Sequence, residues 1–597
     1  MLPMSLFPYD KPRPFQDELI QRIYTADKLL CNAPTGVGKS ISALCGFLAD
    51  REEDEKIIIL TRTKSQADIF LKETARISRH TGIQYLAVQL RSKQELCPLF
   101  KDKETTYEEF IELCKLSTEC PYRERFFDSA GALGALAGRM ARTRIYADYQ
   151  AFLSIALEYG CPYLVVQDLA PKADLLVTSY LYLLNPFLRR IFLGRLQKDI
   201  EDLLLIVDEA HNLQSLDLLG KQLSKRTVDF ASKELNYDFS NIYSLLDGGD
   251  SLLDLRDLID PNEIQFLLDR GREILQRRLK KGKKISYTFR VATFLDNAIR
   301  LCGEKNWIFF RKEGRLFIKP LFPNEFIKPL KNARKLLLMS GTLEPIEGYK
   351  ILYGLEEAEE ISLPRIFPRE NCSYFGVKGI NTGIDSREKK GDELWGEYGR
   401  AIREIAEVTP KTTLVFFPSY DIMREVANYS EAVMEPGDSS EAENFWKTIR
   451  NKEKRTVFAV SGGKLSEGVE FTVKSSEKKE SIVSTLVIAG LPFPVPDFEL
   501  EIKGKLYEEK FGYGKSFLLL SVLPMVNKVM QAMGRAIRSE NDRAAVVILD
   551  DRLEYLRYFP EEVREEIQIY HVDEIKLGIE EFHRSKESGK DEPRGNS

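Results

Sequence analysis

The chain has 597 residues, 43% hydrophobic and 30% charged, with a formal net charge of -5. That length allows roughly three or four domains, the mixed composition excludes a wholly disordered or fibrous protein, and the acidic balance excludes a uniformly basic nucleic-acid coat without excluding local patches. The N-terminus, Met1-Leu2-Pro3-Met4-Ser5, lacks the basic and apolar regions of a secretory signal. No apolar run reaches the ~18 residues that span a bilayer, and the longest, near 517–526, reads as a buried element. A cytoplasmic enzyme with no membrane partner is expected, and in that compartment clustered cysteines bind metal more often than they pair.

In chain order, Leu29-Leu30-Cys31-Asn32-Ala33 runs into Gly36 and Gly38 before a helical pattern begins near Lys39, which reads as strand, loop, helix. Short continuous apolar runs at 57–60, 175–177 and 203–207 match parallel strands buried on both faces and define a first α/β domain. Similar runs at 335–339, 413–417, 456–459, 484–489 and 544–549 alternate with helical segments and fit a second. Two insertions interrupt the first domain. Residues 92–165 hold Cys97, Cys114, Cys120 and Cys161, and residues 213–332 are charged, leucine-rich and helical in period. Arg277, Arg278, Lys280, Lys281, Lys283 and Lys284 form one basic run, and Arg189, Arg190, Arg195 and Lys198 another; each alone reads first as a solvated face. The Lys-, Glu- and Ser-rich tail from 583 to 597 is expected to be disordered.

The segment Ala33-Pro34-Thr35-Gly36-Val37-Gly38-Lys39-Ser40 follows the phosphate-loop pattern, except that Ala33 replaces its first glycine. The glycines let backbone N–H groups turn toward phosphates, Lys39 can reach the β- and γ-phosphates, and Ser40 can ligate Mg²⁺. Asp208 ends a buried strand, where a carboxylate can hold the Mg²⁺ sphere, and Glu209 can orient the attacking water. His211 suits coupling of nucleotide state to the second domain better than proton transfer. In the C-terminal half Gln531, Arg535 and Arg538 are spaced to share one helical face. Arginines from a second domain can stabilise the charge of a transferring phosphoryl group.

With these motifs and others, the chain resembles superfamily 2 helicases of the XPD family, relatives of DinG and FANCJ. The further matches are Phe7-Pro8-Tyr9 with Arg13 and Gln16, Thr61-Arg62-Thr63, residues 178–186 (TSYLYLLNP), Ser340-Gly341-Thr342, Phe417-Pro418-Ser419-Tyr420, residues 463–470 (GKLSEGVE) and 490–494 (GLPFP). They run over nearly the whole length, and the compact chain resembles the archaeal members. The resemblance implies an α/β fold of two RecA-like parallel-sheet domains, with a 4Fe-4S domain and a helical Arch domain inserted in the first. The first RecA-like domain would comprise 1–91, 166–212 and about 333–345; the cluster domain 92–165; the Arch 213–332; and the second RecA-like domain 346–582.

The resemblance further implies an ATP- and Mg²⁺-dependent motor that moves 5′ to 3′ on single-stranded DNA and opens duplex at junctions or bubbles, as in nucleotide excision repair. It would act as a monomer with repair proteins for partners. Gln16, Thr35, Gly36, Gly38, Lys39, Ser40, Gly468 and Glu470 would bind the nucleotide, with Glu467 at the same interface. Thr61-Arg62-Thr63 and Ser419-Tyr420 would meet the DNA backbone, for which hydroxyl and arginine donors are suited. Cys97, Cys114, Cys120 and Cys161 match the cluster ligands in number and position, although five residues separate Cys114 from Cys120 rather than two. Four thiolates also suit zinc. Tyr122, Phe126 and Phe127 can wedge between bases or pack a small domain, and the run at 277–284 can meet DNA or solvent. Two other functions fit the same motifs: a DNA-stimulated translocase that remodels protein–DNA complexes without unwinding, and a scaffold subunit switched by ATP.

Overall fold

The structure is a computed structural model that describes residues 1–100, 104–254, 260–437, 442–449, 453–463, 471–475, 478–537 and 539–585. Two seven-stranded, all-parallel sheets organise it. In the first, the strands lie side by side in the order Glu359–Ser362, Lys28–Asn32, Lys335–Ser340, Leu203–Asp208, Lys56–Thr61, Leu175–Ser179, Ala87–Gln89. In the second the order is Val433–Met434, Thr456–Val460, Thr412–Phe417, Val483–Ala489, Ala544–Leu549, Cys372–Lys378, Gln568–His571. The central strands are buried at every position because helices cover both faces, which is why their sequences read as unbroken apolar runs rather than alternating ones.

The register of the first sheet brings distant segments to one edge. Asn32 lies opposite Ser340, and Met339 opposite Asp208. The phosphate loop, Ser340-Gly341-Thr342 and Asp208-Glu209 therefore leave three adjacent strands at their carboxyl ends, where open parallel sheets bind ligands.

The first lobe extends past the boundary expected near 345. Helix Ile346–Tyr353 buries Tyr349 and Tyr353 completely in the first core, and strand Glu359–Ser362 pairs with residues 29–32. Sheet pairing therefore carries this lobe to about 363. The segment Lys515–Met533 is by length and composition apolar enough to cross a membrane, but 56% of it is buried inside the protein. Leu519 and Leu523 pack on the first core, and Val522, Met525, Val526 and Val529 on the second. Its backbone passes through a π-helical turn, Leu518–Val522, just before Pro524. Proline lacks the N–H needed for the regular ladder, and a wider turn accommodates the loss. The C-terminal helix runs over Ile575–Arg584, so His583 is helical rather than part of a disordered tail; residues 586–597 lie outside the described residues.

The 213–332 insertion is not wholly helical. It carries a four-stranded antiparallel sheet, in the order Lys221–Ser224, Arg315–Pro320, Trp307–Lys312, Ser251–Leu252, beside the helices Lys225–Leu235, Pro261–Leu279 and Tyr287–Leu301. The tight turn at Glu313 (φ 49°) and Gly314 (φ 66°) joins the two central strands, and Phe310 stacks on Phe317 at 5.2 Å. Among its described residues the cysteine segment has no core of its own. Phe100, Phe110 and Leu113 join the core of the 213–332 insertion, whereas Leu133, Leu136, Met140, Phe152 and Val165 join that of the first lobe. Fully buried Glu109 ties the two insertions together, accepting from Ser286 N (2.9 Å) and from Arg290 Nη2 (2.9 Å).

Within the second insertion, helix Pro261–Leu279 crosses helix Tyr287–Leu301 at Gly271, where an added Cβ would stand 2.7 Å from Phe289 Cα. Gly271→Ala should force the helices apart and cost about 1–3 kcal/mol, the usual overpacking penalty. Limited proteolysis should show earlier cleavage within 213–332, with the lobes unchanged.

Candidate active site

The phosphate loop follows strand Lys28–Asn32 and opens helix Lys39–Asp50. Only Gly36 (φ 102°) and Gly38 (φ 89°) in it have positive φ. Ala33 instead continues the sheet, its N–H donating to Ser340 O at 2.8 Å, which explains why alanine can replace the motif's first glycine. Lys39 Nζ donates to Ala33 O at 2.7 Å, and a Cβ on Gly341 would lie 3.6 Å from that ammonium. Buried Gln16 braces the loop from outside, accepting from Arg13 N (2.9 Å) while its Nε2 reaches Gly38 O at 3.5 Å. The Arg13 guanidinium also donates to Gly36 O.

Asp208 is 7% exposed at the end of its strand. Burial, with the adjacent Glu209 carboxylate adding to it, pushes its pKa up to about 7 against the opposing pull of Lys39. Glu209 sits in the left-handed region (φ 48°). Tyr180 pins that turn by donating to Asp208 O (2.5 Å) and Glu209 O (3.2 Å), and Tyr353 does so by donating to Ala210 O (2.8 Å). Neither tyrosine was assigned a role from sequence, although Tyr180 falls within the 178–186 motif.

A polar chain crosses from one lobe to the other. Ser340 Oγ donates to Glu209 Oε2 at 3.0 Å, His211 Nδ1 lies 2.6 Å from Ser340 Oγ and 3.0 Å from Thr342 Oγ1, and His211 Nε2 lies 2.9 Å from Gln531 Nε2. One tautomer carries the chain from lobe to lobe: Gln531 donates to Nε2, and Nδ1–H donates to Ser340. His211 thus bridges Ser340 of the first lobe and Gln531 of the second.

Gln531 lies in the last turn of helix Leu523–Met533. The helix stops there, and Gly534 to Ala536 form a turn, so Gln531 and Arg535 do not share the extended helical face that their spacing suggested. Both nevertheless line one cleft of about 490 Å³ between the lobes, with Pro34, Thr35, Lys39, Glu209 and His211. Arg538, Glu467, Gly468 and Glu470 lie outside the described residues.

Arg62 and Thr63 line the same cleft. Arg62 Nη1 donates to Asn212 Oδ1 at 2.5 Å, and Thr63 caps helix Lys64–Thr81 through a reciprocal box with Gln66. Ser419 caps helix Tyr420–Ala427 by accepting from Ile422 N, without a reciprocal bond from Ile422. Lys528, not singled out from sequence, packs its stem 3.5 Å from the Cβ position of Gly462, has no hydrogen-bond or ion-pair partner among the described residues, and has its pKa lowered by burial. Ser461 Oγ and Asn527 Oδ1, its chain and loop neighbours, are buried without partners. In the basic run Arg278 is committed to the buried Glu234 carboxylate at 2.7 Å, whereas Lys280, Lys281 and Lys283 are exposed.

Of the four cysteines, Cys97 closes helix Lys93–Leu96, Cys114 lies in helix Tyr107–Leu116, and Cys120 and Cys161 are the N-caps of helices that begin with Pro121 and Pro162. All four are half-buried free thiols. Among the described residues no three metal-ligating side chains converge closely enough to hold an ion. The thiols are nonetheless within electrostatic reach of one another: burial raises Cys97 and Cys161, with further increments from Cys114 and Cys161 on the first and from Cys120 on the second. The backbone amides of Leu99 and Phe100 point at Cys97 sulfur, and those of Tyr163 and Leu164 at Cys161. The donor chemistry, four thiols with backbone amides aimed at two of them, suits a thiolate-bound metal group, whereas their positions in this structure do not bring three of them around one ion. Phe127 is 64% exposed, while Phe126 packs against the first core.

A phosphate loop on one parallel-sheet lobe, faced across a cleft by an arginine and a glutamine from another, defines a nucleotide-driven motor of the helicase class with two RecA-like lobes. Two family models match the chain, DEAD_2 over residues 59–226 and the helicase C-terminal domain over 402–566. It is 26% identical to the ATP-dependent DNA helicase XPD of Sulfolobus acidocaldarius over 91% of this chain and 95% of that one, and 23% identical to a probable ATP-dependent helicase of Methanocaldococcus jannaschii over 92% of each. A solved XPD helicase structure superposes with a TM-score of 0.69 at 22% identity, covering 94% of this chain and 100% of that one. The chain belongs to the XPD family of superfamily 2 helicases, and is an ATP-dependent enzyme.

The raised Asp208 pKa has a signed consequence. The folded protein holds this proton up to about pH 7, whereas the unfolded chain releases it near 3.8. The stability associated with that proton is complete below pH 3.8 and is lost as pH rises through 7. In the absence of nucleotide and metal, Asp208→Asn should therefore raise the melting temperature at pH 8 more than at pH 5, measured by calorimetry at both values.

Proposed function

We propose that the protein is an ATP-dependent DNA helicase that translocates 5′ to 3′ on single-stranded DNA and opens duplex at junctions or bubbles during DNA repair. The observation that carries the motor reading is the hydrogen-bond chain from Gln531 through His211 and Ser340 to Glu209. It ties the carboxylate that would orient the attacking water to a side chain on the opposite lobe. Movement of the second lobe then changes the hydrogen bonding of that carboxylate, and changes at the carboxylate are felt across the cleft.

In this mechanism Gln16, Thr35, Gly36 and Gly38 shape the nucleotide site, and Lys39 exchanges its present bond to Ala33 O for the β- and γ-phosphates. Mg²⁺, when bound, neutralises phosphate charge, and Ser40 and Asp208 would hold it. Arg535 would face the transferring phosphoryl group from the second lobe, with Arg538, Gly468 and Glu470 assigned to the same interface by resemblance. DNA is proposed to cross the capped N-termini of the helices that follow Thr63 and Ser419, since such termini favour phosphate. Lys528 is a second contact: a desolvated ammonium with no counter-charge among the described residues gains most from an incoming phosphate.

For the cysteines we propose a 4Fe-4S cluster held by Cys97, Cys114, Cys120 and Cys161, with a structural role. A segment whose apolar residues are divided between two neighbouring cores has little of its own to hold it together, and a metal group supplies that constraint. Exposed Phe127 is then placed to meet a base at the strand-separation point.

Strand displacement with ATP and Mg²⁺ on matched duplexes bearing a 5′ or a 3′ single-stranded tail tests the function. Opening from the 5′ tail alone is expected, with Lys39→Ala folded but inactive; opening from the 3′ tail would overturn the polarity, and DNA-stimulated hydrolysis without opening would establish a translocase instead. For the cluster, Cys120→Ser should lose iron and strand separation while keeping some ATP hydrolysis. Unchanged iron content and unwinding in that variant would refute the assignment.

A further inference from the structure

We propose that Phe367, on the segment joining the two lobes, is the aromatic platform for the base of the bound nucleoside triphosphate, and that it gives the site a preference for purines. The inference deepens the reading of the interdomain cleft as the nucleotide site and rests on it. The joining segment is fixed at both ends. Leu363 N donates to Asn32 O at 2.9 Å, at the edge of the first sheet, and Asn371 Nδ2 donates to Glu540 O at 2.7 Å in the second lobe. Residues 364–370 therefore span the gap directly beside the phosphate loop.

Arg365 fastens this span to the second lobe. Its Nη2 donates to Glu566 Oε2 at 2.8 Å, its Nη1 lies 3.3 Å from Tyr374 Oη, and its backbone N–H donates to Glu562 Oε2 at 3.2 Å. Its guanidinium also sits 5.3 Å from the centre of the Tyr374 ring. With Arg365 held, the next two side chains are directed to the loop: a Cβ built on Gly36 would lie 3.1 Å from Ile366 Cδ1 and 3.3 Å from Phe367 Cζ. Phe367 is half-buried and lines the cleft together with Pro34 and Thr35. The other aromatic rings lining that cleft among the described residues are already engaged, Tyr374 by Arg365 and the His211 imidazole by Ser340 and Gln531.

Phosphates held by the loop leave the base one sugar away from Gly36, within the cleft that Phe367 lines. A ring at that distance offers a π-face, which every base accepts but which the larger purine ring system covers better. No donor or acceptor of a base edge is needed, so the preference is for purine over pyrimidine rather than for adenine over guanine. Because the platform is leashed to the second lobe through Arg365, its position also follows domain closure.

The test is calorimetric binding of ATP, CTP and inorganic tripolyphosphate, each with Mg²⁺, to the full-length wild type, Phe367→Ala and Phe367→Trp. Loss of a base-stacking contact corresponds to about tenfold in affinity. Phe367→Ala should bind ATP about tenfold more weakly, lose the preference for ATP over CTP, and bind tripolyphosphate as the wild type does; Phe367→Trp should retain wild-type ATP affinity. Equal weakening of ATP and tripolyphosphate would show that Phe367 only shapes the loop, and unchanged ATP binding in Phe367→Ala would show that the base lies elsewhere; either result overturns the proposal while leaving the cleft as the nucleotide site. A wild type that binds neither ATP nor tripolyphosphate would overturn the cleft reading and the proposal together.

Discussion

The register of three parallel strands, Lys28–Asn32, Lys335–Ser340 and Leu203–Asp208, is the constraint on which the rest depends. Parallel strands begin at one edge of a sheet and end at the other, so the loops that follow them meet regardless of how far apart they are in sequence. Here more than a hundred residues separate each strand from the next, and the register still places the phosphate loop, Asp208-Glu209 and Ser340-Gly341-Thr342 side by side. A slip of one residue would turn Asp208 away from Lys39 and point an apolar neighbour into the site. Burial of every residue of these strands except Lys28 makes such a slip prohibitive.

Among the described residues, the second lobe reaches the polar chain of the first through a single helix end. Gln531 reaches His211, and Arg535 lines the cleft, both from the end of one helix that is also packed between the two cores. This arrangement explains a helix apolar enough for a membrane in a chain whose two sheets are built around apolar cores: Leu519 and Leu523 face one lobe while Val522, Val526 and Val529 face the other. The polar end of that helix then projects into the gap. A rigid element shared by both cores is a direct way to convert a change in hydrogen bonding at Glu209 into a change in lobe position.

The insertions follow a different rule. Their contacts are divided: the N-terminal part of the cysteine segment packs into the 213–332 unit, and its C-terminal part into the first lobe. Buried Glu109 and its bonds to Ser286 and Arg290 make the first of these junctions specific. Nothing in the spacing of the four cysteines indicated that their segment would lack a core of its own, because core membership depends on which surfaces lie opposite and not on local pattern.

The sequence by itself determined the two parallel-sheet lobes, the phosphate loop, the Asp-Glu pair and the cysteine count, because unbroken apolar strands and glycine-rich turns are local features with one dominant physical interpretation. It did not reveal the Trp307–Lys312 and Arg315–Pro320 hairpin, whose apolar runs do not alternate and lie in a segment that is mostly helical in period. Tertiary structure alone decided the rest. The end of the helix at Met533 changed how Arg535 is presented, Tyr180 and Tyr353 became the props of a left-handed Glu209, Lys528 was buried against the Gly462 loop with no counter-charge among the described residues, and Phe367 came to rest on Gly36. Each of these depends on partners far away in the chain, and hydrogen bonds and packing across such distances exist only once the lobes have formed and docked.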